Sequence, residues 1–122
     1  MKSNITGKYI LDKKGRPVPE PDVEKWGRWF ETAKRHIGAD TLRGYYVSTI
    51  FLGLDYNFSQ KGKPILWETM VFYKHTKRSS RYNIDRRFSS RLTAKRYHNS
   101  IVRWLKDHRS LKGFGEHEDR KG

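Results

Sequence analysis

The sequence predicts an α+β protein in which a short antiparallel sheet, made of a long hairpin and edge strands, packs with an N-terminal and a C-terminal helix. Three observations carry this prediction: a helical stripe of apolar residues near the start, two strand-like segments in the middle, and a second helical stripe near the end. A chain of 122 residues is also the size of one domain. We therefore assign residues 1–109 to a single domain and residues 110–122, which combine glycines with mixed charge, to a disordered tail.

The N-terminal third begins with extended segments and ends with the first helix. Lys8–Leu11 predicts a short strand, and the proline-rich residues 17–21 are extended because each proline fixes its φ angle. Asp22 follows, and its carboxylate can accept hydrogen bonds from the unpaired amides of a first helical turn. Apolar residues at helical spacing then predict a helix over residues 22–37 that stops at Gly38. These apolar residues are Val23, Trp26, Phe30, Ala33 and Ile37.

The middle of the chain is rich in β-branched and aromatic residues, which favour strands. Residues 45–53 and 65–73 predict two strands of this kind, each with both faces partly buried. The segment between them is polar and contains Asp55, Asn57 and Gly62, so we expect the two strands to form a long antiparallel hairpin. A third, weaker strand is predicted at residues 81–84.

The last element is a helix that Ser89 or Ser90 caps and that runs to about His108. Apolar and basic residues fall on opposite sides of it. We expect large aromatic rings to dominate a single core, because each buries far more area than Ala or Val. The expected core rings are those of Trp26, Phe30, Phe51, Trp67, Phe72, Tyr97 and Trp104.

Basic residues are concentrated in one segment of the chain. The sequence holds 27 Lys and Arg against 13 Asp and Glu, a net charge of +14, and residues 74–109 alone hold twelve cations and two carboxylates. Such a concentration is typical of proteins that bind nucleic acid, since cations neutralise phosphates and release condensed counterions. The aromatic residues between the cations either stack on bases or belong to the core. The candidate nucleic-acid-binding residues are Lys77, Arg78, Arg81, Arg86, Arg87, Arg91, Lys95 and Arg96.

Catalytic chemistry finds little support in the sequence. The absence of cysteine excludes disulfides, thiol catalysis and cysteine-ligated zinc. A metal-dependent nuclease needs clustered carboxylates, and only Asp55 and Glu68 could converge in the core, with Met70 where a catalytic Lys would be expected. Glu68 fits better as a solvated or Arg-paired strand residue, and His98 as a packed, hydrogen-bonded one. We therefore expect no enzyme activity, no catalytic residues, no metal and no cofactor.

Three segments of the chain have distinctive motifs: residues 26–33 (WGRWFETA), 48–55 (STIFLGLD) and 66–72 (LWETMVF), with residues 7–11, 17–19 and 87–90 in support. Together they resemble a family of small uncharacterised bacteriophage proteins. The resemblance covers roughly residues 7–105 and implies a bacteriophage origin and the element order given above. It implies no activity, and the strong charge around residues 74–96 departs from the family pattern.

Two functions remain open from the sequence. The first is a small basic phage accessory protein that binds DNA or RNA non-specifically through the C-terminal basic segment. The second is a phage host-takeover or anti-defence protein, for example an anti-CRISPR-like one, that docks on an acidic host protein or ribonucleoprotein. Both would act in the cytoplasm of the bacterial host, since the N-terminus has no signal-peptide pattern and no segment has the roughly 20 apolar residues of a membrane span. The sequence does not set the oligomeric state.

Overall fold

The computed structural model describes residues 7–59, 61–73 and 84–114, together with the backbone of residues 78–79. These residues form seven strands and two helices, which confirms the α+β class with one helix near each end. The strands are β1 (Tyr9–Leu11), β2 (Pro17–Pro19), β3 (His36–Leu42), β4 (Tyr45–Phe51), β5 (Trp67–Tyr73), β6 (Arg78–Ser79) and β7 (Asp85–Phe88). The helices are α1 (Val23–Thr32) and α2 (Arg91–Asp107).

The main sheet is built around the predicted hairpin. Strands β4 and β5 pair antiparallel along their whole length, from Tyr45 opposite Tyr73 to Phe51 opposite Trp67. Strand β3 pairs with the other edge of β4, while β6 and β7 both pair with β5. Strands β1 and β2 form a separate two-stranded sheet. The long hairpin is therefore confirmed.

Helix α2 covers one face of the main sheet. The residues of β4 alternate between buried and partly buried, so Val47 and Phe51 face α2 and their neighbours face away from it. We call the covered side the inner face and the other side the outer face. Ser90 caps the helix by accepting from the amide of Thr93, which confirms the predicted start of the last helix.

Helix α1 is shorter than the sequence predicts. Asp22 caps it as expected, but the helix ends at Thr32, and Ala33 is already extended. His36–Leu42 is strand β3, so the predicted helix through residue 37 and the stop at Gly38 are wrong. The competing interaction is long-range: the free edge of β4 offers β3 a ladder of backbone hydrogen bonds that local spacing cannot reveal. A two-residue turn with positive φ at Arg43 and Gly44 joins the two strands.

The segment after α2 is part of the core. Leu111 and Phe114, which we expected in a disordered tail, are 1% and 3% exposed. The indole of Trp104 donates to the carbonyl of Ser110 at 2.9 Å, and Gly113 has the positive φ that the following turn requires. The domain thus extends at least to Phe114, and residues 115–122 lie outside the described residues.

The aromatic residues do not meet in one core. Two buried clusters lie between α2 and the sheet, one around Val71 and Ile101 and one around Phe51 and Trp67. Trp26 and Phe30 belong to neither, since α1 has no fully buried residue, and Phe72 is paired with Tyr46 on the outer face. The weak strand predicted at residues 81–84 falls mostly outside the described residues, and β7 begins at Asp85.

Candidate nucleic-acid interface

The structure does not bring the predicted cations together on one surface. Lys77 and Arg81 lie outside the described residues, and Arg78 is described only through its backbone in β6. The other five lie on two elements, β7 and α2. They are Arg86, Arg87, Arg91, Lys95 and Arg96.

Arg86 and Arg87 belong to opposite faces of the sheet because successive side chains alternate along a strand. Arg87 pairs with Glu68 on the outer face, where its Nε donates to Oε2 at 3.0 Å. Its guanidinium also lies 4.6 Å from the ring centre of Tyr56. Arg86 lies on the inner face, 5.0 Å from the ring centre of Tyr97. Both arginines therefore have structural contacts, and two adjacent arginines in the sequence do not make one phosphate-binding pair.

Lys95 is a tether between α2 and the sheet. Its ammonium donates to the carbonyl of Ile37 at 2.9 Å, at the register shift where β3 bulges against β4. The side chain is partly buried. This hydrogen bond uses one of the lysine's three donors and holds its charge close to the helix surface.

The solvent side of α2 presents the basic surface best suited to bind phosphate. The predicted residues Arg91 and Arg96 are exposed there, and two exposed cations from the next turns, Arg103 and Lys106, extend the row. At 100° per residue these four positions fall within an arc of about 140°, and they span roughly 22 Å of helix. We call these four residues the basic face of α2. Among the described residues, none of the four side chains forms an ion pair.

Arg103 and Lys106 lie outside the site that charge density along the sequence predicts. The signal that identifies them is helical periodicity, which places both on the polar side opposite Ile101 and Leu105. In α2 as a whole, five cations accompany one carboxylate, Asp107.

The two carboxylates considered for nuclease chemistry have other partners. Asp55 accepts hydrogen bonds from the amides of Asn57 and Ile65 and so closes its own loop. Glu68 pairs with Arg87, which confirms its prediction as an Arg-paired strand residue. Burial raises the pKa of Glu68, and neighbouring Asp85 raises it further. Within the described ranges, no group of three His, Asp or Glu side chains gathers as a metal site would require.

A buried polar network, which the sequence did not reveal, joins α2 to the inner face. The hydroxyl of Thr49 lies 2.6 Å from that of Thr69 and 2.8 Å from Nδ1 of His98, and Nε2 of His98 lies 2.6 Å from Asp40. The order carboxylate–imidazole–hydroxyl is that of a hydrolase triad. Here Thr49 is 0% and His98 1% exposed, so no substrate reaches the hydroxyl, and the network holds the helix on the sheet. His98 is thus confirmed as a packed, hydrogen-bonded residue.

Comparison with known proteins adds no relative: no family model, no curated protein and no solved structure matches the chain. The resemblance to bacteriophage proteins therefore stays a prediction. Within the part of the chain that the structure describes, neither helix is long and apolar enough to cross a membrane.

Proposed function

We propose that this chain is a small basic phage accessory protein that binds DNA or RNA, without reading base sequence, through the basic face of α2. The observation that carries the proposal is the alignment of four exposed cations on one side of a 17-residue helix. The side of that helix that faces the sheet is anchored by fully buried residues, so the cations are displayed from a rigid support. The anchoring residues are Ala94, His98, Ile101 and Leu105.

The chemistry of this surface favours contact with the phosphate backbone. Three of the four cations are arginines, whose planar guanidinium can bind two phosphate oxygens at once. Contacts to phosphate position a protein on nucleic acid but carry no sequence information. We therefore expect weak sequence preference and a steep dependence of affinity on salt.

A double substitution on the basic face tests this function. Arg96→Ala/Arg103→Ala removes two exposed cations, and we expect the log–log slope of affinity against salt on duplex DNA to flatten by up to about 1.8, because each neutralised phosphate contributes about 0.9. The melting temperature should stay nearly constant, because exposed cations add little stability. The measurement is fluorescence anisotropy with a labelled duplex at salt concentrations from about 50 to about 200 mM, the range over which such binding changes steeply.

A matched control separates a localised site from simple net charge. Lys13→Ala/Lys14→Ala also removes two positive charges, but from exposed positions in the turn between β1 and β2. We expect this pair to change affinity much less than the pair on α2. Equal losses from both pairs would mean that binding follows net charge alone, and the assignment to α2 would be wrong.

Docking on an acidic host protein or ribonucleoprotein, as a host-takeover protein would do, is the second candidate. It is favoured by Leu92, which is 58% exposed and follows Arg91 directly on α2. An apolar side chain among cations suits a protein surface better than a phosphate backbone. The discriminating experiment is capture of partners from bacterial lysate with and without nuclease. A protein that is retained after nuclease treatment and lost with Leu92→Asp would favour this second function.

A further inference from the structure

The loop between β4 and β5 presents an aromatic ring to solvent. Phe58 is 79% exposed, more than any other large apolar side chain in the described part of the chain. The ring of Tyr56 lies beside it, with ring centres 5.8 Å apart. A side chain this exposed contributes little to the core, and its ring is accessible to a ligand.

Hydrogen bonds hold the described residues of this loop, which exclude residue 60, in a defined shape. The side-chain amide of Asn57 donates to the carbonyls of Lys61 and Lys63, at 2.6 and 2.8 Å. Asp55 accepts from the amide of Asn57 at 2.7 Å and from that of Ile65 at 3.0 Å, which closes the base of the loop. Phe58 is therefore carried on an ordered turn, and a ligand that binds it has less conformational entropy to remove.

The charges displayed around Phe58 are positive. Lys61 and Lys63 are exposed on the same loop, whereas the charge of Arg87, whose guanidinium lies over Tyr56, is offset by its ion pair with Glu68. The nearby carboxylates are engaged: Asp55 binds loop amides, and Glu68, whose side chain is 12% exposed, pairs with Arg87. The loop tip thus combines an exposed aromatic ring with cations.

We propose that Phe58 is a stacking site for an unpaired base, and that Lys61 and Lys63 hold the phosphates beside it, so that the preferred ligand is single-stranded nucleic acid. This inference rests on the proposed function and adds the substrate class. Aromatic rings stack on any exposed base, whereas the bases of a duplex are already stacked and out of reach. Phe58 therefore contributes to single-stranded binding and not to duplex binding, while the basic face of α2 contributes to both.

The test compares a labelled twelve-residue oligothymidine with a labelled duplex of the same length. Phe58→Ala is expected to weaken oligothymidine binding about 5- to 100-fold and to change duplex binding less than about twofold, following the usual range for one lost base stack. Phe58→Trp should retain or tighten single-stranded binding. The control is Val23→Ala, which shortens a different exposed apolar side chain, located on α1, and should change neither affinity.

A spectroscopic readout reports stacking itself. In an oligonucleotide that carries 2-aminopurine, stacking on Phe58 should quench the fluorescence on binding, and Phe58→Ala should restore it. Unchanged oligothymidine affinity in Phe58→Ala, or an equal loss for the duplex, would overturn the stacking site. If Arg96→Ala/Arg103→Ala still weakened the binding of both ligands in that case, the proposed function would stand without the stacking site. A wild-type protein that binds neither ligand would overturn both.

Discussion

Gly38 lies directly beneath the imidazole of His98, where β3 approaches α2. A Cβ atom added at Gly38 would lie 2.7 Å from two atoms of that ring, closer than real Cβ atoms come to another side chain. The ring cannot move aside, because it is buried and hydrogen-bonded to Thr49 on one side and Asp40 on the other. Glycine is therefore required at position 38 for space and not for backbone conformation.

Gly38→Ala should destabilise the protein by about 1–3 kcal/mol, the usual cost of an overpacked site. The matched control is Gly27→Ala in α1, where an added Cβ meets nothing within 4 Å. That control should stabilise by about 0.5–1 kcal/mol, since alanine is the better helix former. Urea unfolding measures the free energy of unfolding of both variants. Equal values would show that the imidazole of His98 can move aside.

The raised pKa of Glu68 predicts a dependence of stability on pH. Below the ordinary value of 4.5 the carboxyl is protonated in both the folded and the unfolded state, so it has no effect. As pH rises, the unfolded chain releases the proton first, because burial disfavours the charged form in the folded state. The folded protein thus loses stability over the interval between the ordinary and the raised pKa.

Glu68→Gln removes that titration. The difference in melting temperature between this variant and the wild type should therefore be more positive at about pH 7 than at about pH 4. These two pH values lie on either side of the interval in which the folded and unfolded states bind different numbers of protons. Glu31→Gln, which removes one carboxylate charge from an exposed position on α1, is the control. A difference between Glu68→Gln and wild type that is the same at both pH values would contradict the assignment.

Among the elements, the segment of residues 110–114 differs most from its sequence prediction. Residues 110–122 as a whole have the glycines and mixed charge that are typical of a disordered tail, yet Leu111 and Phe114 complete the buried cluster around Val71 and Ile101. The turn that brings them there is held by Trp104, which packs edge-on against Phe114 with ring centres 5.9 Å apart. Local composition does not reveal packing that depends on where α2 ends.

Leu111→Ala should cost about 2–5 kcal/mol, the range for a buried leucine that leaves a cavity. Leu92→Ala removes the same atoms from an exposed position on α2 and should stay within about 0.5 kcal/mol of the wild type. Thermal unfolding of the two variants gives the comparison. A small loss of stability in Leu111→Ala would contradict the burial of Leu111 and support the sequence prediction of a disordered tail.

Across the whole molecule, the described residues form two regions of unequal burial. The main sheet and α2 supply most of the two buried clusters, to which β1 adds Tyr9, whereas α1 has no buried residue and is held to β1 and the end of β4 by partly buried contacts. Trp26 is central to this attachment, since its indole lies 3.1 Å from the carbonyl of Tyr9 and 3.0 Å from that of Gly53. The fold therefore provides a weaker region that can open before the rest.

Trp26→Ala should accelerate amide hydrogen exchange in β1 and α1 and leave β4 and β5 protected. Trp29→Ala, from the same helix, should also affect the main sheet, because that ring packs edge-on against Phe51. Exchange followed by mass spectrometry distinguishes the two patterns. Global loss of protection in Trp26→Ala would show that α1 and the main sheet unfold as one unit.

Local sequence patterns were sufficient to predict the elements whose side chains repeat with a clear period. Strands β4 and β5 alternate, α2 has an apolar side and a basic side, and Asp22 marks the start of α1. The sequence also indicated the location of the charge in the C-terminal half, because net charge is additive along a chain. Each of these signals lies within a few neighbouring residues.

The remaining features depend on tertiary contacts. Strand β3 exists because β4 has a free edge, and the network of Thr49, His98 and Asp40 exists because three separate elements meet at one point. The same holds for Arg86 and Arg87: pairing with β5 makes residues 85–88 a strand, so these two side chains lie on opposite faces of the sheet. These outcomes require residues far apart in the chain to come together, and no local pattern records them.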